Sequence, residues 1–123
     1  MGKYSRDLGI RAEEDALVWL LNCYRMRLLL RNFRCKVGEI DLILEEELPD
    51  GERELVFVEI RSRAEGSWVS ALESVSFSKR RKLKRAIGMF LLRYDGRAKS
   101  ARVDVLAQNG GAWEHIRNIR MDL

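Results

Sequence analysis

Residues 38–63 read GEIDLILEEELPDGERELVFVEIRSR, and the fold turns on how this stretch is divided. In its first part Ile40, Leu42 and Leu44 alternate with Glu39, Asp41, Ile43 and Glu45, the period of a strand with two unlike faces. LPDGE follows, with Pro-Asp-Gly at its centre, a composition that reverses the chain. The last part, LVFVEIRSR, is apolar enough for the middle of a sheet yet carries Glu59 and Arg61 two places apart. Alternation sets Leu55, Phe57, Glu59 and Arg61 on one side and Val56, Val58 and Ile60 on the other. The two runs are expected to form a hairpin, with Glu45, Glu46, Glu47, Asp50, Glu52 and Glu54 as a solvated tip at its far end.

Outward from the hairpin, the pattern changes period. From Ser5 to about Tyr24, Leu8, Ala12, Ala16, Leu20 and Leu21 recur at helical spacing while Arg11, Glu13, Glu14 and Asp15 lie off the stripe. YRMRLLLRNFRCK then reads as a strand or an extended segment, and Gly38 as a turn. Beyond RAEGSW a long helix is expected from Ser78 to Tyr94, with Leu83, Ala86, Ile87, Phe90, Leu91 and Tyr94 on one face. ARVDVLA is a further strand, and Asn109-Gly110-Gly111 before AWEHIRNI signals a final hairpin. Helix, three strands, long helix, two strands is the order of a mixed α/β sheet flanked by helices.

With 123 residues, 46% of them hydrophobic, the chain suffices for one domain over residues 1–123. Its net charge of +4 rests on 17 arginines and 6 lysines, an excess that permits contact with polyanions. Cys23, Cys35 and His115 are too few for a four-ligand zinc site, and the two cysteines are expected as reduced, partly buried thiols. The polar, acidic opening does not resemble a secretory leader, and the longest apolar run, Ala16 to Leu21, is too short to span a bilayer. A cytoplasmic protein with no membrane partner is the expectation.

Chemistry concentrates on the central hairpin. Asp41 and Glu59 lie on its two strands with 17 residues between them and the turn midway, so both carboxylates can share one face near one end of the sheet. Two such charges repel unless a cation separates them, and hard divalent ions such as magnesium take oxygen ligands of this kind. An ordinary ion pair between Glu59 and Arg61 at a strand end is the alternative.

Asp, a variable gap and Glu-X-Lys form the pattern of the PD-(D/E)XK nuclease fold, which these residues resemble. GEIDLI, LVFVEIRSR, the basic run after FSK and ARVDV together resemble the YraN-type family of uncharacterised proteins, similar in turn to Holliday-junction resolvases, from about Gly9 to Leu106. The resemblance implies a restriction-endonuclease-like sheet and a Mg²⁺- or Mn²⁺-dependent endonuclease acting on DNA, branched DNA included. It implies Asp41 and Glu59 as metal ligands, the Ile60 carbonyl as a further one, and Glu13, in a Gly9-X-X-Ala12-Glu13 context, as an assisting acid. Arg61 stands where the family pattern has lysine; it can neutralise a phosphate or orient a water but does not take up a proton. Asp104 matches the family's Arg-X-Asp and is expected to brace the sheet or Arg102.

Basic residues are expected to frame this centre. KRRKLKR, residues 79–85, places Lys79, Arg80, Arg81 and Lys82 in the first turns of the long helix, where cations oppose the helix dipole but phosphate is welcome. Arg34 and Lys36 precede Gly38, Arg63 and Arg102 stand near strand ends, and Trp68 follows as a candidate for stacking on a base or anchoring its loop. Two other readings remain open: a nucleic-acid-binding module without catalysis, with residue 61 as the discriminating position, and a protein-interaction subunit using the basic helix. A homodimer would suit a two-fold symmetric substrate.

Overall fold

A computed structural model describes residues 2–63 and 70–121, without the side chains of residues 2–10 and 63. Helix α1 spans Gly2–Cys23, strands β1, β2 and β3 span Met26–Cys35, Gly38–Glu47 and Arg53–Arg63, helix α2 spans Phe77–Leu91, and strands β4 and β5 span Ser100–Asn109 and Ala112–Ile116. The strands lie side by side in chain order as one five-stranded sheet. Only β3 and β4 run parallel, and the chain between them must therefore cross over a face of the sheet, which it does through α2. This is the mixed α/β architecture, and the element order, that the sequence predicts. No helix among the described residues is long and apolar enough to cross a membrane.

Alternation on β3 divides the core as expected. Leu55 and Phe57 pack with Leu83, Ala86 and Phe90 of α2, while Val56 and Val58 pack with Ala16, Leu17 and Leu20 of α1. Phe90 receives both Phe33 and Phe57 edge-on, at centroid distances of 5.7 and 5.8 Å. Each fully buried side chain of this size contributes about 1.5–3 kcal/mol of hydrophobic stabilisation. On β2 the alternation slips: Leu42 and Leu44 face α1, but Ile40 joins Ile43 under α2. The slip falls at Asp41, just beyond the last β2–β3 pair, Leu42↔Val58, while Ile40 stays paired with Phe33 of β1.

Two turns set the ends of these elements. Gly51 holds φ at +86° in the β2–β3 turn, a left-handed conformation that costs glycine nothing, while Asp50 Oδ1 accepts the Glu52 N–H at 2.9 Å. Ser76 caps α2, its Oγ accepting the Lys79 N–H at 3.1 Å, and the helix proper ends at Leu91 rather than Tyr94.

The acidic tip corrects the sequence reading, because Glu45 and Glu46 are buried. Glu46 and Glu54 are direct cross-strand partners, an arrangement that destabilises unless a cation intervenes. Arg102 of β4 supplies it: Nη1 donates to Glu46 Oε1 at 2.6 Å and to Glu54 Oε1 at 2.7 Å, and Nε donates to Asp104 Oδ1 at 3.0 Å. Asp104 also takes His115 Nε2 at 2.9 Å and the Asn118 N–H at 2.9 Å. Burial pushes the Asp104 pKa up, but the bonds from His115, Arg102 and Asn118 outweigh it and hold it below the usual carboxylate range. Arg102 is thus committed to the interior and is not part of a basic rim. Both cysteines are free, but Cys23 is exposed rather than partly buried, since it ends α1 on the solvent side.

Candidate metal and phosphate site

The β2–β3 ladder runs from Glu47↔Arg53 to Leu42↔Val58, and one step further would set Asp41 opposite Glu59. That pair lies just beyond the ladder, where β2 leaves β3. Asp41 Oδ2 instead accepts the Ile60 N–H at 2.8 Å, so the carboxylate takes over a donor that the departing strand no longer serves. Glu59 follows Phe57 on the α2 face, with only 3% of its side chain exposed. Its Oε1 lies 3.4 Å from Lys79 Nζ and 3.7 Å from Arg61 Nη1. Its Oε2 is buried without any hydrogen-bond partner.

Electrostatics record this crowding. Burial, then the charge of Asp41, pushes the Glu59 pKa up to about 7, against the pull of Lys79 and Arg61. Asp41 is likewise raised, by burial first, with the Ile60 N–H and Lys79 opposing and Glu13 and Glu39 adding repulsion. A buried carboxylate oxygen without a donor, beside a second carboxylate, is an oxygen-rich pair whose two neighbouring cations, Lys79 and Arg61, approach Oε1 and leave Oε2 without a hydrogen bond. Such a donor set fits a hard divalent cation, which binds through one or two carboxylates and fills its other positions with water and substrate oxygens. Among the described residues no group of three or more His, Cys, Asp or Glu side chains is arranged to hold an ion.

Glu13 stands back from the pair. Asn32 of β1, at φ 50°, donates Nδ2 to Glu13 Oε2 at 3.0 Å, and Arg31 pairs with the adjacent Glu14. Glu13 therefore acts on Asp41 through its charge. Glu39, exposed at the start of β2, pairs with Arg34 at 3.5 Å.

The basic residues named from the sequence separate into three groups. Arg34, Lys36 and Lys82, from the β1–β2 turn and from α2, line one cleft of about 330 Å³ together with Gly38 and Glu39. Gly38 makes this approach possible: a Cβ there would lie 2.8 Å from the Lys82 carbonyl oxygen. Lys79 turns inward to Glu59, a contact that sequence spacing alone does not reveal. Arg80 is spent on the loop before α2, donating to the carbonyls of Val75 at 3.2 Å and Leu72 at 3.1 Å, while Arg81 lies over the Phe77 ring. The side chain of Arg63 and all of Trp68 lie outside the described residues.

Comparison with known proteins gives a family without a stated activity. Residues 12–107 match the model of "Uncharacterised protein family UPF0102". The chain is similar to the UPF0102 protein of Cupriavidus metallidurans, 39% identical over 112 residues, covering 89% of this chain and 78% of that one. It is similar also to the UPF0102 protein of Pelobacter propionicus, 38% identical over 119 residues with 93% and 82% covered. A third, from a Janthinobacterium species, is 39% identical over 114 residues with 93% and 88% covered.

Proposed function

The chain belongs to the uncharacterised protein family UPF0102, the YraN family, and from the geometry of its carboxylate pair we propose that it is a nucleic-acid-binding, metal-dependent endonuclease acting on DNA phosphodiesters, branched DNA included. One observation carries the reading: the buried, unpartnered Glu59 Oε2 beside Asp41, at the point where two strands part under a basic rim. Asp41 and Glu59 would hold Mg²⁺ or Mn²⁺, with the Ile60 carbonyl as a further ligand. When bound, such an ion polarises the scissile phosphate and lowers the pKa of attacking water.

The remaining work falls to the chain's own side chains. Arg34, Lys36 and Lys82 seat the phosphate backbone without reading its sequence. Arg61, permanently cationic, faces the charge that develops on the phosphate. Lys79 brings a compact ammonium from α2 to the same carboxylate, 3.4 Å from Oε1, and so supplies the amine that position 61 lacks. Glu13 adds negative field behind Asp41 and favours a cation there.

The test is calorimetric titration of Mg²⁺ or Mn²⁺ into the wild type and Glu59→Gln, paired with incubation of labelled branched DNA. Heat from the wild type alone, with Mg²⁺-dependent cutting lost in Asp41→Ala while binding persists, is the expected result. Absence of heat from both proteins removes the metal site. Arg61 in the lysine position favours a second reading, a binding module without turnover, and binding with no cutting by highly purified protein is its signature.

A further inference from the structure

A large cavity lies away from the carboxylate pair, at the other end of α2. It measures about 730 Å³ and is lined by Arg27, Arg53, Arg93 and Arg97 over a floor of leucine and aromatic side chains. We infer that it is a second phosphate station, which holds the backbone of the same nucleic acid some 20 Å from the reacting phosphodiester. The inference rests on the nuclease reading above.

Charge and construction support it. Four guanidiniums face two carboxylates, Glu45 and Asp95, leaving an excess of two positive charges in the lining. Glu45, itself buried, aims two of the arginines: its Oε1 accepts Arg27 Nη2 at 3.2 Å and Arg53 Nη1 at 3.0 Å. Tyr94 donates its hydroxyl to Glu45 Oε2 at 3.5 Å and accepts the Ala98 N–H at 2.9 Å, which fixes the loop that carries Arg97. Arg93 rests on the rings of Phe33 and Phe90, 5.4 and 5.9 Å from their centroids, so its plane is set before any ligand arrives. Neither Arg93 nor Arg97 pairs with a carboxylate among the described residues. Guanidiniums held in fixed orientation with unspent donors are suited to phosphate oxygens.

Two rulers give the spacing. α2 has 15 residues, about 22 Å of helix, with Lys79 on Glu59 at one end and Arg93 in the cavity just past the other. β1 carries Arg34 in the basic cleft and Arg27 in the cavity, seven residues and about 23 Å apart. Both stations lie along the β1–α2 side of the sheet. In duplex DNA, phosphates of one strand recur about every 3.4 Å of axis, so contact with both stations needs roughly six base pairs.

Fluorescence anisotropy without added metal tests the inference, using a labelled duplex of about twenty base pairs and a hairpin of about four. For the Arg93→Ala/Arg97→Ala variant, affinity for the long duplex falls about tenfold and the slope of log K against log salt shrinks by about 2, while affinity for the hairpin is unchanged. Arg97→Glu alone, which spares the Arg93 packing, moves the long-duplex affinity in the same direction. Wild-type affinity of both variants for the long duplex, or an equal loss on the hairpin, overturns the second station. If Lys36→Ala/Lys82→Ala then still weakens both DNAs, the nucleic-acid-binding part of the proposed function stands without it; if the wild type binds neither DNA, both fall.

Discussion

Lys79 and Glu59, twenty positions apart and on different elements, meet at 3.4 Å beneath the first turn of α2. The contact joins the helix that carries a run of six basic residues to the strand that carries the buried carboxylate. It also makes the helix N-terminus responsive to whatever charge Glu59 bears.

Metal-free protein should record the strain at Glu59 directly. Because its pKa is raised in the fold from an ordinary 4.5 to about 7, the stability Glu59 contributes is fully present below pH 4.5 and is lost as pH rises through 7. Glu59→Gln removes that part of the decline, leaving the share of Asp41, and in chelator at pH 8 it should exceed the wild type by on the order of 2 kcal/mol in urea unfolding. Added Mg²⁺ should raise the Tm of the wild type and leave the variant where it was.

Replacing the ammonium separates catalysis from binding. Lys79→Ala should lower the single-turnover cleavage rate at least a hundredfold, the scale of losing one preorganised cation at a reacting phosphate. DNA affinity should change only severalfold, since Arg34, Lys36 and Lys82 remain. Rates near wild type in Lys79→Ala would mean that the lysine is a structural counter-ion.

The Arg102 cluster should be among the most sensitive points of the fold. Arg102→Met removes the guanidinium shared by Glu46, Glu54 and Asp104, leaving Glu46 with Arg117 and Asp104 with His115 and the Asn118 N–H, and a cost of about 3 kcal/mol is expected in equilibrium denaturation. Arg102→Lys should recover only part of this, because one ammonium cannot reproduce the forked contacts to three carboxylates.

Gly38→Ala tests how the basic cleft is built. Its Cβ would meet the Lys82 carbonyl, a backbone atom that yields only if α2 shifts, so a loss of about 1–3 kcal/mol is expected. DNA affinity should fall with it, measured at a temperature where the variant remains folded.

Hairpin, helices and the order of the elements were legible because each is written in a local period, and the alternation of LVFVEIRSR put Glu59 and Arg61 on the face where they lie. Asp41 and Glu59 were legible as opposed residues from their equal spacing about the Pro-Asp-Gly turn. What escaped depends on distant partners. Glu46 and Glu54 look like solvent-facing acids until Arg102 arrives from a strand 46 residues beyond Glu54 in register terms, where Glu54 meets Ser100. Ile40 breaks its strand's alternation at the point where β2 has left β3. Lys79 reads as one of six cations on a helix, and its inward turn follows from how α2 docks, which no local pattern encodes.

The parallel seam between β3 and β4 bears on the order in which the molecule assembles. β1, β2 and β3 form a meander of near neighbours, whereas the seam must close across tens of residues, a step that slows with loop length. A nascent chain halted before β4 would already carry Asp41 and Glu59 on adjoining ribbons, but Glu46 and Glu54 would lack their shared guanidinium. Maturation of this acidic cluster therefore waits on translation of roughly the last fifth of the chain, from Ser100 onward, and a chain truncated there should be cleared by proteolysis rather than accumulate as a working fragment.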